Sequence, residues 1–297
     1  MKKYLLLHIL IAFSSLFFFI SCSSDDSSIE TIHDDPIAEL EAEERFDVSY
    51  GPNAKQNYDI YLPAGRSDET TKVLLLIHGG GWTSGDKSDM TEFVSLIQDN
   101  YPDYAIVNTN YVLAELAIPA FPNQFLDIQS VVRQITLESE ELQIKPEFGF
   151  IGASAGAHLA LMYDYVYDTD DQVKFVADIV GPADFTDPFY ANDPNFAIAL
   201  SILVDESAYP AGSNLSEAVS PVYQVSASSS PTLLFYGDQD PLVPLSNGES
   251  LELALEAAEI ENIFTVYEGG HGDNWSLEDR ADLEFKLNTY IETYLPL

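Results

Sequence analysis

A chain of 297 residues with 49 acidic and only 12 basic side chains carries a formal net charge of −37, a surface that repels nucleic acid and other anionic polymers and makes them poor partners. Its length and apolar content suffice for one large α/β domain or two small ones, with a sizeable core. The single cysteine, Cys22, excludes an intramolecular disulfide, a cysteine-rich zinc site and a redox pair.

Met1-Lys2-Lys3 gives a positive start, and residues 4–20 are almost wholly apolar. That reads as a secretory signal outside the fold, short of the usual bilayer-spanning length. Phe19-Ile20-Ser21-Cys22 resembles the processing box of bacterial lipoproteins, although Ile20 stands where a small residue is commoner. Ser23-Ser24-Asp25-Asp26 is similar to the Ser/acidic tract of surface-exposed lipoproteins in Bacteroidetes. The resemblance implies a signal peptide over residues 1–21 and lipidation of Cys22. It also implies export to the outer membrane, at the cell surface or facing the periplasm. Lipid chains partition into a bilayer at about 0.8 kcal/mol per buried methylene, so a multiply acylated Cys22 would hold firmly. The alternative is a cleaved signal with an incidental cysteine. Residues 22–44 are polar and acidic and read as a flexible tether, which leaves 45–297 for the folded domain.

Residues 46–50 and 58–62 alternate apolar and polar around Gly51-Pro52-Asn53, the pattern of an opening β-hairpin. The continuous apolar run 73–77 predicts a strand buried on both faces, followed at once by His78-Gly79-Gly80-Gly81-Trp82. Met90, Phe93, Val94 and Ile97 recur at helical spacing, and residues 104–108 make the next strand. Phe125, Ile128, Val132 and Ile135 mark a helix that Pro122 opens. Residues 148–151 form a strand that runs into Gly152-Ala153-Ser154-Ala155-Gly156 and then a helix. Small residues around the serine let the backbone pass closely while its hydroxyl is exposed at a strained turn. Further strands are expected at 173–180, 232–236 and 263–267. Between the last two, a helix starts at Ser246 with Glu249 completing a capping box. Leu283, Leu287, Tyr290, Ile291 and Tyr294 line a final helix. Strands alternating with helices give an α/β fold, a mostly parallel sheet covered on both faces. Residues 184–230 break the rhythm and read as an inserted lid over the site.

A serine hydroxyl needs a base, an orienting acid and a site for oxyanion charge. Of five histidines, His8 lies in the signal and His33 in the tether. His78 is read as packing behind the glycine run, and His158 as a structural residue one helical turn beyond Ser154. That leaves His271, in Gly269-Gly270-His271-Gly272-Asp273 directly after a strand, where an open α/β sheet keeps its ligands. The acid is Asp240, after the strand 232–236, with Asp238 shaping the turn and Asp178 and Asp184 as alternatives. Backbone N–H groups of Gly80, Gly81 and Ala155 would form an oxyanion hole. Neither phosphate-loop pattern is present, and no histidines or acidic residues stand at metal-ligand spacing, so neither metal nor cofactor is expected.

The order Ser154, Asp240, His271 with the His78–Trp82 loop resembles the α/β-hydrolase superfamily, specifically its small carboxylesterases with an HGGGW loop. Those include bacterial feruloyl and acetyl esterases and the hormone-sensitive-lipase-like group, from which Ala153 departs by replacing an acidic residue. Tyr58-Asp59-Ile60-Tyr61-Leu62-Pro63 and Ser220-Pro221 are also similar, and the resemblance covers about 45–297. It implies a serine carboxylesterase working through an acyl-enzyme, with Trp82 touching substrate, and removal of acetyl or feruloyl groups from plant polysaccharide. The rival expectations are an amide-cleaving relative, kynurenine-formamidase-like or prolyl-oligopeptidase-like, and a catalytically silent hydrolase fold acting as a binding protein. Only a short tether precedes the hydrolase part, so the propeller of the oligopeptidases is not expected.

Overall fold

The computed structural model describes residues 40–297. The expected signal peptide, the lipidation site Cys22 and most of the tether lie outside the described residues.

The sheet begins inside the stretch assigned to the tether. Strand β1 (Glu43–Ser49) pairs antiparallel with β2 (Asn57–Leu62), which pairs antiparallel with β4 (Ala105–Thr109). Acidic Glu43 and Glu44 are accommodated because β1 is an edge, where Glu43 meets the guanidinium groups of Arg45 and Arg66. From β4 inward every pairing is parallel: β3 (Val73–Ile77), β5 (Phe148–Ala153), β6 (Val173–Ile179), β7 (Thr232–Gly237) and β8 (Asn262–Tyr267). The eight strands run in the order β1-β2-β4-β3-β5-β6-β7-β8.

Side-chain alternation explains why β3 is apolar throughout. Val73, Leu75 and Ile77 point to one face and Leu74 and Leu76 to the other, and both faces are covered. On the first face pack α2 (Asn123–Leu137), the helix α4 (Ala155–Met162) after the serine, and α8 (Leu245–Ala257), while a one-turn α3 (Ser139–Leu142) follows α2. On the second pack α1 (Thr91–Asn100) and α9 (Leu277–Tyr294), through Val94 and Ile97 and through Leu283, Leu287 and Ile291. The insertion folds into α5 (Pro188–Ala191), α6 (Pro194–Leu203) and α7 (Leu215–Ala218), joined by 3-10 turns. It buries Phe185, Tyr190, Leu200 and Leu203 on the first face. Its backbone joins Phe121 through Phe121 N–H to Leu203 C=O and Asp205 N–H to Phe121 C=O, both 2.8 Å.

The capping box expected at Ser246 and Glu249 does not form. Helix α8 starts at Leu245 behind Pro244, so Ser246 lies within the first turn. Its hydroxyl donates instead to Asp187 Oδ2 at 2.5 Å, tying the start of the helix to the insertion.

Candidate active site

Ser154 sits between β5 and α4 with φ 52° and ψ −121°, a strained conformation for a residue with a Cβ. The neighbouring glycines make the turn possible. A Cβ on Gly156 would lie 2.1 Å from the Ile77 carbonyl oxygen, and one on Gly152 would lie 2.4 Å from Ala157 Cα. The turn is pinned by Ser154 N–H donating to Ile179 C=O at 2.8 Å, and Ser154 C=O accepts the first helical bonds from Ala157 and His158.

His271 and Asp240 arrive from the loops after the adjacent strands β8 and β7. His271 Nε2 is 2.8 Å from Ser154 Oγ, and His271 Nδ1 is 2.6 Å from Asp240 Oδ2. A carboxylate can only accept, so Nδ1 carries the proton and Nε2 is left to accept from the serine hydroxyl. The other Asp240 oxygen accepts from Leu242 and Val243 N–H at 2.8 and 3.0 Å. Burial alone would raise the Asp240 pKa, but these donors and His271 outweigh it and hold the carboxyl below its ordinary value. Asp238 shapes the turn, since its Oδ1 accepts from Gly269 N–H at 2.9 Å while Gln239 N–H donates to Gly269 C=O at 2.8 Å. The two loops are thereby laced together. Of the other carboxylates weighed, Asp184 accepts from Thr186 N–H and its hydroxyl. Asp178, fully buried at the end of β6, meets Tyr236 and Gly181.

The glycine loop runs directly against the serine, for a Cβ on Gly79 would stand 3.1 Å from Ser154 Cβ. Gly80 (φ 113°), Gly81 (φ 56°) and Trp82 (φ 63°) are three successive left-handed residues, and Thr83 and Ser84 N–H fold back on Gly80 C=O. Gly80 and Gly81 follow Gly79 in this turn and Ala155 opens α4 directly after the serine, so the backbone N–H groups expected to meet developing negative charge belong to the two segments that adjoin Ser154. His78 is buried, donates through Nδ1 to Gly79 C=O at 2.7 Å and stacks on Tyr111, with ring centroids 4.3 Å apart. His158 is also buried and structural in its contacts.

Trp82 corrects one expectation. Its ring packs into an aromatic cage with Phe121, Phe185 and His158, and its indole N–H is taken by His158 Nδ1 at 3.2 Å. The left-handed backbone at Trp82 directs the side chain there, so it anchors the loop and lines no part of the cavity beside Ser154.

That cavity, about 330 Å³, is walled by Phe93 and Leu96 of α1, Ile179 and Val180 at the end of β6, Trp275, and Leu283 of α9. Glu92, Arg280 and Glu284 stand at its edge, with Arg280 Nη1 4.0 Å from Glu92. None of its lining comes from residues 184–230, so the insertion is not its roof. Sequence reasoning missed this wall. Its only signal was the apolar spacing already assigned to the cores of α1 and α9.

The BD-FAE family model matches residues 58–255, from β2 through the glycine loop and the serine turn to α8. Among curated proteins, arylacetamide deacetylase of Oryctolagus cuniculus is 29% identical over 150 residues, 47% of this chain and 37% of that protein. The probable carboxylic ester hydrolase LipM of Mycobacterium tuberculosis is 26% identical over 213 residues, 67% of this chain and 48% of that protein. The chain thus spans less than half the length of these curated relatives. A truncated carbohydrate esterase from gut microbiota has a similar structure, with a TM-score of 0.68 at 18% identity, over 86% of this chain and 98% of that one. So has an inhibited esterase B from Lactobacillus rhamnosis, with a TM-score of 0.67 at 19% identity, over 84% and 86% of the two chains. At these identities the likeness concerns the fold.

Proposed function

The chain belongs to the BD-FAE family, and from that premise we propose that it is a serine carboxylesterase of the α/β-hydrolase fold, working through an acyl-enzyme. The observation that carries the reading is the unbroken hydrogen-bonded line from Ser154 Oγ through His271 to Asp240. Ser154 Oγ attacks the ester carbonyl carbon as its proton passes to His271 Nε2. Asp240 keeps Nδ1 protonated and stabilises the imidazolium that forms. The tetrahedral oxyanion is held by N–H groups of Gly80, Gly81 and Ala155, each such donor contributing about 3 kcal/mol to the transition state. Collapse expels the alcohol, which takes the proton from His271. Water then repeats the sequence on the acyl-enzyme, and the acid is released.

The cavity supports an assignment of the two halves of the ester. Its apolar wall of Phe93, Leu96, Ile179 and Leu283 suits a small or planar acyl group. The charged edge of Glu92, Arg280 and Glu284 suits a hydroxyl-rich alcohol in the solvent-facing half. Acetyl or feruloyl groups on plant polysaccharide fit that division. The carbohydrate esterase among its structural likenesses and the proposed export and lipid anchoring at Cys22 favour the same substrate. Arylacetamide deacetylase, by its name, acts on an amide, which favours a second reading in which the same acyl-enzyme forms from an aryl amide.

Matched pairs of aryl ester and aryl amide, together with acetylated and feruloylated xylan, test these readings. Turnover of small esters with release of acetate or ferulate from xylan supports the first. Amide turnover matching the ester places the protein with the second. No turnover of any of them in folded protein sinks both.

A further inference from the structure

His158 lies on α4 one turn beyond Ser154, fully buried, and takes no part in the proton relay. Its two ring nitrogens are both occupied, by different parts of the molecule. Nε2 is 2.8 Å from the Val219 carbonyl oxygen at the end of the insertion. Nδ1 is 3.2 Å from Trp82 Nε1 in the glycine loop. A carbonyl can only accept and an indole N–H can only donate, so the pair of contacts fixes the tautomer. Nε2 carries the proton and Nδ1 is the acceptor. Phe121, Phe125 and Phe185 surround the ring, an apolar cage that favours the neutral form this arrangement requires.

The residue at the other end of that bond is under strain. Trp82 holds φ 63°, rare for a bulky side chain, and closes a run of three left-handed residues that begins at Gly80. Such a conformation persists only where its surroundings over-determine it. Here the Trp82 carbonyl accepts from Gln124 Nε2 and Ala114 N–H, both at 2.8 Å, while the side chain is fixed by His158 alone among hydrogen-bond partners of the described residues. The neighbouring N–H groups of Gly80 and Gly81 are those that would meet the oxyanion, and displacements of well under an ångström weaken such bonds.

We propose that His158 is a positioning residue. By accepting from Trp82 and donating to Val219, it locks the oxyanion-binding glycine loop to the nucleophile helix and to the insertion. The insertion thereby acts on the reaction through the loop behind the serine rather than by covering the serine. This rests on the esterase reading, and the experiment separates the two.

The test uses the full chain, p-nitrophenyl acetate as substrate and an alkyl trifluoromethyl ketone as a probe that forms an oxyanion on Ser154. His158→Leu should lower kcat about 10- to 100-fold, less than the loss of a whole donor, with KM within about threefold. The inhibition constant of the ketone should rise in parallel. His158→Gln, which keeps a donor and an acceptor, should recover most of both. Trp82→Phe should reproduce the loss, and the Trp82→Phe/His158→Leu double variant should be no worse than the more impaired single variant. Where His158→Leu does not fold, Trp82→Phe and His158→Gln read the same link from its other end and by rescue. Unchanged kcat and ketone binding in folded His158→Leu or in Trp82→Phe, or additive losses in the double variant, would overturn the proposal. Wild-type protein that neither turns over the ester nor binds the ketone would instead overturn the esterase reading, and this inference with it.

Discussion

Tyr236 places one hydroxyl between two acceptors, Asp178 Oδ2 at 2.7 Å and the Gly181 carbonyl at 2.5 Å. One proton cannot serve both. The count closes when Asp178 carries a proton of its own, donating to Tyr236 Oη while Tyr236 donates to Gly181. Burial points the same way, pushing the Asp178 carboxyl up to about 7 against the hydrogen bonds from Tyr236 and Gly181 N–H. Both Asp178 oxygens are engaged by Gly181 and Tyr236, and His271 is met by Asp240 instead.

The two candidate acids should therefore separate cleanly on substitution. Asp240→Asn is expected to lower turnover by roughly 10,000-fold, as loss of the orienting carboxylate does in serine proteases. Asp178→Asn replaces a neutral acid by its near-isostere and should leave kcat within about threefold. Steady-state kinetics on one aryl ester checks both, and the reverse ranking would assign the acid role to Asp178.

The same carboxyl gives stability a pH dependence. Asp178 has a folded pKa raised above its unfolded value of about 3.9, so its contribution is fully present below that value and is lost as pH rises through about 7. Asp164 behaves alike, pushed up to about 7 by burial despite accepting from the hydroxyl and N–H of Ser230. Thermal melts of Asp178→Asn against wild type should diverge between pH 4 and 7, with the variant gaining relative stability at the upper end. Parallel curves across that window would contradict the protonated assignment.

Strain at Ser154 predicts a trade of activity for stability. Glycine tolerates φ 52° without cost, so Ser154→Gly should be inactive yet more stable than Ser154→Ala by about 1 kcal/mol, or about 2–4 °C in Tm. Equal melting of the two variants would mean that the turn stores no such strain.

Much of this arrangement was legible in the sequence because each reactive residue follows a strand whose apolar, β-branched or aromatic run announces itself. The runs ending at Ile77, Ile151, Tyr236 and Tyr267 lead into the glycine loop, the serine turn, the Asp240 loop and the His271 loop. Other features depend on three-dimensional partners that no local pattern names. Where the Trp82 ring falls is decided by a left-handed backbone, by Phe121 just ahead of α2 and by Phe185 of the insertion. The start of α8 is decided by Pro244 and by Asp187, 59 residues away from Ser246. The cavity joins α1 to α9, whose inward residues have the spacing of any core helix, so nothing in the pattern distinguishes a cavity wall from packing.

That wall makes a prediction of its own. Phe93 narrows the cavity beside Ser154, so Phe93→Ala should shift preference toward longer or bulkier acyl groups. A gain of about tenfold in kcat/KM for a longer acyl chain relative to acetate is the size expected for one or two added methylenes of apolar contact. An acyl-length series measured on both proteins checks it, and an unchanged profile would place the acyl group elsewhere.

Every step of the proposed reaction turns on Ser154 as the nucleophile, activated by His271. The most direct measurement of that role is peptide mapping by mass spectrometry after incubation with a fluorophosphonate, alongside ester turnover. A single adduct is expected on the peptide holding Ser154, with label and turnover both lost in Ser154→Ala and strongly reduced in His271→Ala. Label on another residue, or wild-type turnover in folded Ser154→Ala, would contradict that role.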